Sequence, residues 1–190
     1  MTVTKFAIPE ILFGHGSVRH LAPYALSLGA ERVFLVSDPG IEQAGWLSQV
    51  RGMIRDAGLV CAEFCEVEPN PRDYQVHNGA ERYREAGADV IVALGGGSAM
   101  DTAKGIGILV SNGGAIADYE GANRIKRPLP PMISLPTTAG SGSDLTQCSI
   151  ITDVRRKLKM SIISRSLIPN VSIIEPDFLR TKSRSLIVNS

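Results

Sequence analysis

The chain has 190 residues, 44% of them hydrophobic and 21% charged, with a formal net charge of +1. That length supports one domain with a buried core, and the small net charge leaves no electrostatic footprint for nucleic acid or an anionic membrane surface. No apolar run approaches the roughly 20 residues of a membrane helix, MTVTKFAIPE at the N-terminus lacks a signal-peptide core, and three cysteines, an odd number, do not make a disulfide framework; a cytoplasmic protein is expected.

In chain order, Phe6–Phe13 reads as extended, with Pro9 marking an edge or a break. Gly14 and Gly16 make a turn, and Ser17 is placed to cap a helix over Val18–Leu28 that Gly29 ends. Arg32–Val36 is a short apolar strand of the parallel-sheet kind. It runs into Ser37-Asp38-Pro39-Gly40, a turn with a carboxylate at the strand's C-terminal end. A helix is expected over Ile41–Ala57, closed by Gly58, and a strand over Leu59–Phe64. Pro69-Asn70-Pro71 makes a rigid loop, and Gln75–Glu85 is helical until Gly87.

The stretch Ala88–Lys104 organises the rest. A strand over Asp89–Leu94 ends in Gly95, Gly96 and Gly97, and a helix over Ser98–Val110 follows. Glycines let the backbone turn sharply and let a ligand approach without a Cβ in the way. The first turn of the helix offers unpaired N–H groups and the positive end of a dipole, which suit a phosphate. Ser98 is a suitable N-cap, and Asp101 three residues on resembles the acidic member of a capping box. Met100 stands where the third glycine of G-x-G-x-x-G would be, and no Lys-Ser/Thr pair closes a Walker A loop.

Ile116–Pro131 reads as irregular and basic. A short strand, Met132–Leu135, then enters a second polar glycine loop, Pro136–Ser143. Cys148–Thr152 and Met160–Ile163 read as strands around a charged turn at Asp153–Lys159, and Val171–Ile174 as a last strand. Strands alternating with helices up to Leu135 predict an α/β fold with a parallel sheet. Ligands on such sheets sit at the carboxyl ends of the strands. Asp38, Asn70, Gly95–Ser98 and Thr137–Ser143 all fall on that edge, which is the expected nucleotide site.

Two readings stay open for Asp38: a ribose-binding acid, or an Asx turn before Pro39 and Gly40. Thr137, Thr138, Ser141 and Ser143 offer hydroxyls to a polar ligand, or simply solvate a loop. Lys157 and Lys159 alternate with Leu158 and Met160 and are read as sharing one strand face. The three histidines, His15, His20 and His77, match no zinc spacing, so a metal site in this chain is not expected. No nucleophile elbow is present.

FGHGSV at 13–18, VSDPG at 36–40, PNP at 69–71, GGGSAMDTAK at 95–104, PTTAGSGSDLT at 136–146 and ITD…KLKM at 151–160 occur in order. Together they resemble the N-terminal part of an iron-containing (group III) alcohol dehydrogenase, from about Phe13 onward. The resemblance implies a dehydroquinate synthase-like, dinucleotide-binding α/β domain over residues 1–180. Residues 181–190 would begin the connection to a helical metal-binding domain. It implies an NAD-dependent, metal-dependent enzyme that interconverts small alcohols with aldehydes or ketones, and a homo-oligomer. Asp38 resembles the adenosine-ribose acid, which favours NAD over NADP. Asn70, Gly96, Gly97, Ser98, Asp101, Thr137, Thr138, Ser141, Thr146 and Lys159 resemble the other cofactor-contacting positions. The iron or zinc ligands begin in a G-x-D-A-x-x-H motif that normally follows a segment like Ser185–Ser190, where this sequence stops. The chain alone is therefore expected to lack appreciable dehydrogenase activity. A nucleotide-binding fragment without catalysis, a metal-independent reductase of the same superfamily and a dehydroquinate synthase-like relative are the alternatives.

Overall fold

The computed structural model describes residues 7–180. These form strands β1 (Glu10–Phe13), β2 (Arg32–Val36), β3 (Val60–Phe64), β4 (Val90–Gly95), β5 (Gly121–Ala122), β6 (Met132–Pro136), β7 (Cys148–Asp153), β8 (Leu158–Ile163) and β9 (Val171–Ile174). The α-helices are α1 (Leu21–Ser27), α2 (Pro39–Gln43), α3 (Trp46–Asp56), α4 (Asp73–Ala86) and α5 (Gly97–Asn112). Six strands make one sheet in the order β1-β9-β6-β4-β2-β3, parallel at every pairing. The expected α/β fold with a parallel sheet is what the chain adopts.

The alternation of side chains along each strand divides the core in two. Val33, Leu35, Val90, Val92 and Leu94 pack with Leu21 and Ala25 of α1 and with Leu47, Val50 and Ile54 of α3. Phe34, Val36, Ile91 and Ala93 pack with Val76, Ala80 and Tyr83 of α4 and with Met100, Ala103 and Ile106 of α5. β4 is buried along its whole length, as a central strand covered on both faces must be. A small second sheet, β5-β8-β7, lies outside the first. Its antiparallel β7–β8 hairpin packs Ile151, Met160 and Ile162 onto the α4–α5 side.

Several boundaries differ from expectation. The helix read over Val18–Leu28 is a 3₁₀ turn at Ser17–His20 followed by α1. Ser17 does not cap it; its hydroxyl donates to Ile174 O at 3.1 Å, and Gly16 is the N-cap. The helix read over Ile41–Ala57 is broken into α2 and α3 by Gly45, whose φ of 82° no helix tolerates. Ser98 is not the N-cap of α5: the helix begins one residue earlier, with extended Gly96 as its cap and no side-chain cap bond. Asp101 is therefore not a capping-box member, and its carboxylate turns inward instead. Lys157 sits in the β7–β8 turn with φ of 54°, while Lys159 lies on β8, so the two do not share a strand face. The expected connection at 181–190 lies outside the described residues.

Candidate functional site

Sequence order reverses across the middle of the sheet: β2 leads to β3 on one side, and β4 leads to β6 on the other. The crevice between β2 and β4 is the switch point at which open parallel sheets hold ligands. Backbone and side-chain bonds tie the strand ends there together. Ser37 N donates to Phe64 O at 2.9 Å, Ser37 Oγ to Leu94 O at 2.8 Å, and Thr137 N to Gly95 O at 2.9 Å. The loops after β2, β3, β4 and β6 thus leave the sheet from one braced line.

Two glycines let these loops meet. Gly95 has φ of 153°, and a Cβ there would lie 2.7 Å from Ala99 Cβ. A Cβ on Gly97 would lie 2.9 Å from Ser141 Cβ. The first glycine turn and the second loop are therefore in van der Waals contact, as only glycine at position 97 permits. α5 opens directly behind Gly96 with no acidic residue in its first turn and no side-chain cap. Its N-terminal amides and the positive end of a 16-residue helix face the crevice.

Two clefts flank this turn. One, of about 610 Å³, is lined by Asp38, Pro39, Gly40, Val67, Glu68, Pro69, Gly96, Gly97, Ser98 and Thr138. The other, of about 250 Å³, is lined by Asn70, Gly97, Ser98, Asp101, Ser141 and Lys159 among others.

Asp38 makes the turn and also stands at the cleft. Its Oδ1 accepts from Ile41 N at 3.1 Å and caps α2, while the residue also lines the larger cleft. Asn70, with φ of 56°, accepts from Lys159 Nζ at 2.6 Å through its side-chain oxygen. The loop that carries Asn70 is held on β7, where Thr152 N donates to Pro71 O at 2.7 Å.

Behind the smaller cleft lie two buried charged side chains, Asp101 and Lys104. Lys104, three residues after Asp101 on α5, is fully buried, and its Nζ donates to the carbonyls of Ser143, Thr146 and Cys148 at 2.6, 2.8 and 2.8 Å. Burial pushes the Asp101 carboxyl up to about 6, against Lys104 and hydrogen bonds from the Ile150 amide and the Ser143 hydroxyl. Burial likewise pulls the Lys104 ammonium down to about 8, with Asp101, Cys148 and Asp144 opposing. Sequence reading missed Lys104. Its signal was a lysine flanked by Ala103 and Gly105 on a helix with few other charges, spaced i+3 from an acid.

Of the expected site residues, Asp38, Gly96, Gly97, Ser98 and Thr138 meet in the larger cleft. Asn70, Gly97, Ser98, Asp101, Ser141 and Lys159 meet in the smaller. Thr137 is buried, and its Oγ1 is a buried side-chain polar atom with no partner among the described residues. Thr146 is exposed and turns its carbonyl to Lys104. Among the described residues, one histidine–carboxylate group could converge on an ion: His15, Glu175 and Asp177, at the β1–β9 end of the sheet. Glu175 there already accepts from Val18 N and Asp177 N, and Arg180 approaches Asp177 at 3.6 Å. No helix among the described residues is long and apolar enough to cross a membrane.

The family model for iron-containing alcohol dehydrogenase matches residues 9–176. An NAD-dependent methanol dehydrogenase of Bacillus methanolicus is 37% identical over 98% of this chain and 49% of its own length. The crystal structure of a 1,3-propanediol oxidoreductase superposes with a TM-score of 0.95 at 33% identity, covering 98% of this chain and 49% of that one. A sulfoacetaldehyde reductase from Bifidobacterium kashiwanohense, solved in complex with NAD+, gives 0.85 at 30% identity, covering 98% and 50%. The chain spans about half the length of the curated relatives it matches.

Proposed function

This chain belongs to the iron-containing alcohol dehydrogenase family, and from that premise we propose that it is the NAD-holding part of a metal-dependent dehydrogenase acting on a small alcohol or aldehyde. The observation that carries the reading is the convergence of Asp38, Gly96–Ser98 and Thr138 on one cleft at the N-terminus of α5. The residues fit a dinucleotide. Helix amides without a side-chain cap suit the pyrophosphate, and the orphaned Thr137 Oγ1 beside the turn is a polar atom in want of a partner.

When bound, NAD supplies the acceptor or donor of a hydride. Asp38 would take the adenosine ribose hydroxyls on Oδ2 while Oδ1 stays with Ile41. Its charge opposes a 2′-phosphate, which selects NAD over NADP. Asn70 and Lys159, already bonded to each other, would orient the second ribose. Gly97 holds the two loops close enough to exclude water around the pyrophosphate. Among the described residues, the ionisable acids of these clefts are Asp38, Glu68 and Asp101, with no histidine beside them.

Calorimetric titration with NAD and NADP tests this reading. NAD is expected to bind, and NADP to bind at least about tenfold more weakly, a difference of roughly 1.4 kcal/mol. Equal affinities would remove the discrimination assigned to Asp38, and no heat with either would overturn the site.

A further inference from the structure

We infer that Lys104 is a positioning residue of this site: it clasps three carbonyls of the segment after the second glycine loop, and its positive charge sets how tightly that loop closes on the nucleotide. The nucleotide half of the inference rests on the NAD reading above.

The geometry is specific. An ammonium has three N–H donors, and Lys104 Nζ has three carbonyl acceptors, from Ser143, Thr146 and Cys148, all within 2.8 Å. They span six residues from the end of the loop to the start of β7. Lys104 belongs to α5, the helix whose N-terminus is the glycine turn. One buried cation therefore joins the two loops that form the crevice, without itself lining either cleft. Asp101 adds a second tie through the Ser143 hydroxyl and the Ile150 amide.

A neutral amine has two N–H donors and a lone pair. It serves only two of the three carbonyls, but burying it costs far less than burying the ammonium; because closure of the loop is what draws the amine down, linkage makes the neutral form the one that closes the loop more tightly. The groups that act on Lys104 are Asp101 on its own helix, Asp144 in the loop and Cys148 on β7. β2 and β4 face α5 with Phe34, Val36, Ile91 and Ala93. Ser134 of β6 donates to Asp144 O. On α4, Arg84 and His77 reach Leu109 and Ile116 instead. With burial drawing the amine down to about 8, the tightening falls in an accessible range.

The test measures two quantities against pH in the 190-residue chain: hydrogen-exchange protection of the 137–147 amides, corrected for intrinsic rates, and NAD affinity. In the wild type both should rise through a midpoint near 8, the affinity by about tenfold once the amine is neutral. In Lys104→Met both should be flat across the range, a loss of pH response that a merely structural role would not produce. Asp144→Asn removes an anion that holds the charge on Lys104, so its midpoint should move to lower pH; this variant keeps the inference testable if Lys104→Met does not fold. A wild-type profile without that midpoint, or an unshifted midpoint in Asp144→Asn, would overturn the inference. Absence of NAD binding at every pH would overturn the cofactor reading, and the loop protection, which needs no ligand, tells the two failures apart.

Discussion

Lys159 Nζ donates to Asn70 Oδ1 at 2.6 Å across 89 positions of sequence. The bond joins the rigid loop after β3 to the hairpin outside the main sheet, on the rim of the smaller cleft. Asn70 also takes a left-handed backbone conformation, which asparagine tolerates better than most residues.

The two roles of Asn70 are separable. Asn70→Gly should keep the stability of the wild type within about 0.5 kcal/mol, because glycine accepts the positive φ. Asn70→Ala should lose roughly 1 kcal/mol more, from left-handed strain. Both should weaken NAD binding, since neither can hold Lys159. Thermal unfolding alongside NAD titration reads the two effects; equal stability of the two variants would show that the backbone is not strained.

Asp38 is both a helix cap and the candidate ribose acid. Asp38→Asn keeps a capping oxygen but removes the charge, so it should narrow the NAD/NADP ratio with little change in melting temperature. Asp38→Ala should narrow the ratio and also cost about 1 kcal/mol of stability from the lost cap. A ratio unchanged in Asp38→Asn would rule out charge as the basis of discrimination.

Stability should respond to pH through Lys104 with a definite sign. Its amine sits near 8 when folded against its ordinary 10.5. Between those values the unfolded chain binds more protons, so stability rises with pH across that window and the penalty for burying the charge is fully present below it. The rise is roughly 3 kcal/mol. Denaturant unfolding of wild type and Lys104→Met at a series of pH values checks it: the difference between the two curves should change across that window and nowhere else nearby. Global stability and loop closure thus respond to the same proton in the same direction.

Gly97→Ala should force Ser141 away, because the new Cβ would lie 2.9 Å from Ser141 Cβ. A cost of about 1–3 kcal/mol is expected for such overpacking, with weakened NAD binding. Adding Ser141→Gly should restore stability. A double variant no more stable than Gly97→Ala would mean that the strain lies elsewhere.

The sheet strands and both glycine loops were legible in the sequence because apolar runs ending in Gly, Pro or Asp carry their own punctuation. The strand order was not: β1 pairs with β9 through contacts that no local pattern encodes. The break at Gly45 was missed because periodicity continues across it while the backbone does not. Ser98 matched the capping pattern, yet Gly96 caps α5, since the glycine turn lets the helix start a residue sooner. Asp101 and Lys104 looked like ordinary helix charges; only the packing of the β7–β8 hairpin and its loop against α5 buries them.

The pairing of β1 with β9 has a consequence for how the chain folds. Glu10 lies opposite Val171 and Phe13 opposite Ile174, so among the described residues the first strand has no partner until nearly all of them have been made. β2, β3 and β4 can assemble earlier from nearer neighbours. Until β9 arrives, the segment Glu10–Phe13 is a waiting strand with open hydrogen-bonding edges, exposed to off-pathway pairing. Closing such a distant contact is slow, which makes docking of β1 a late event in folding.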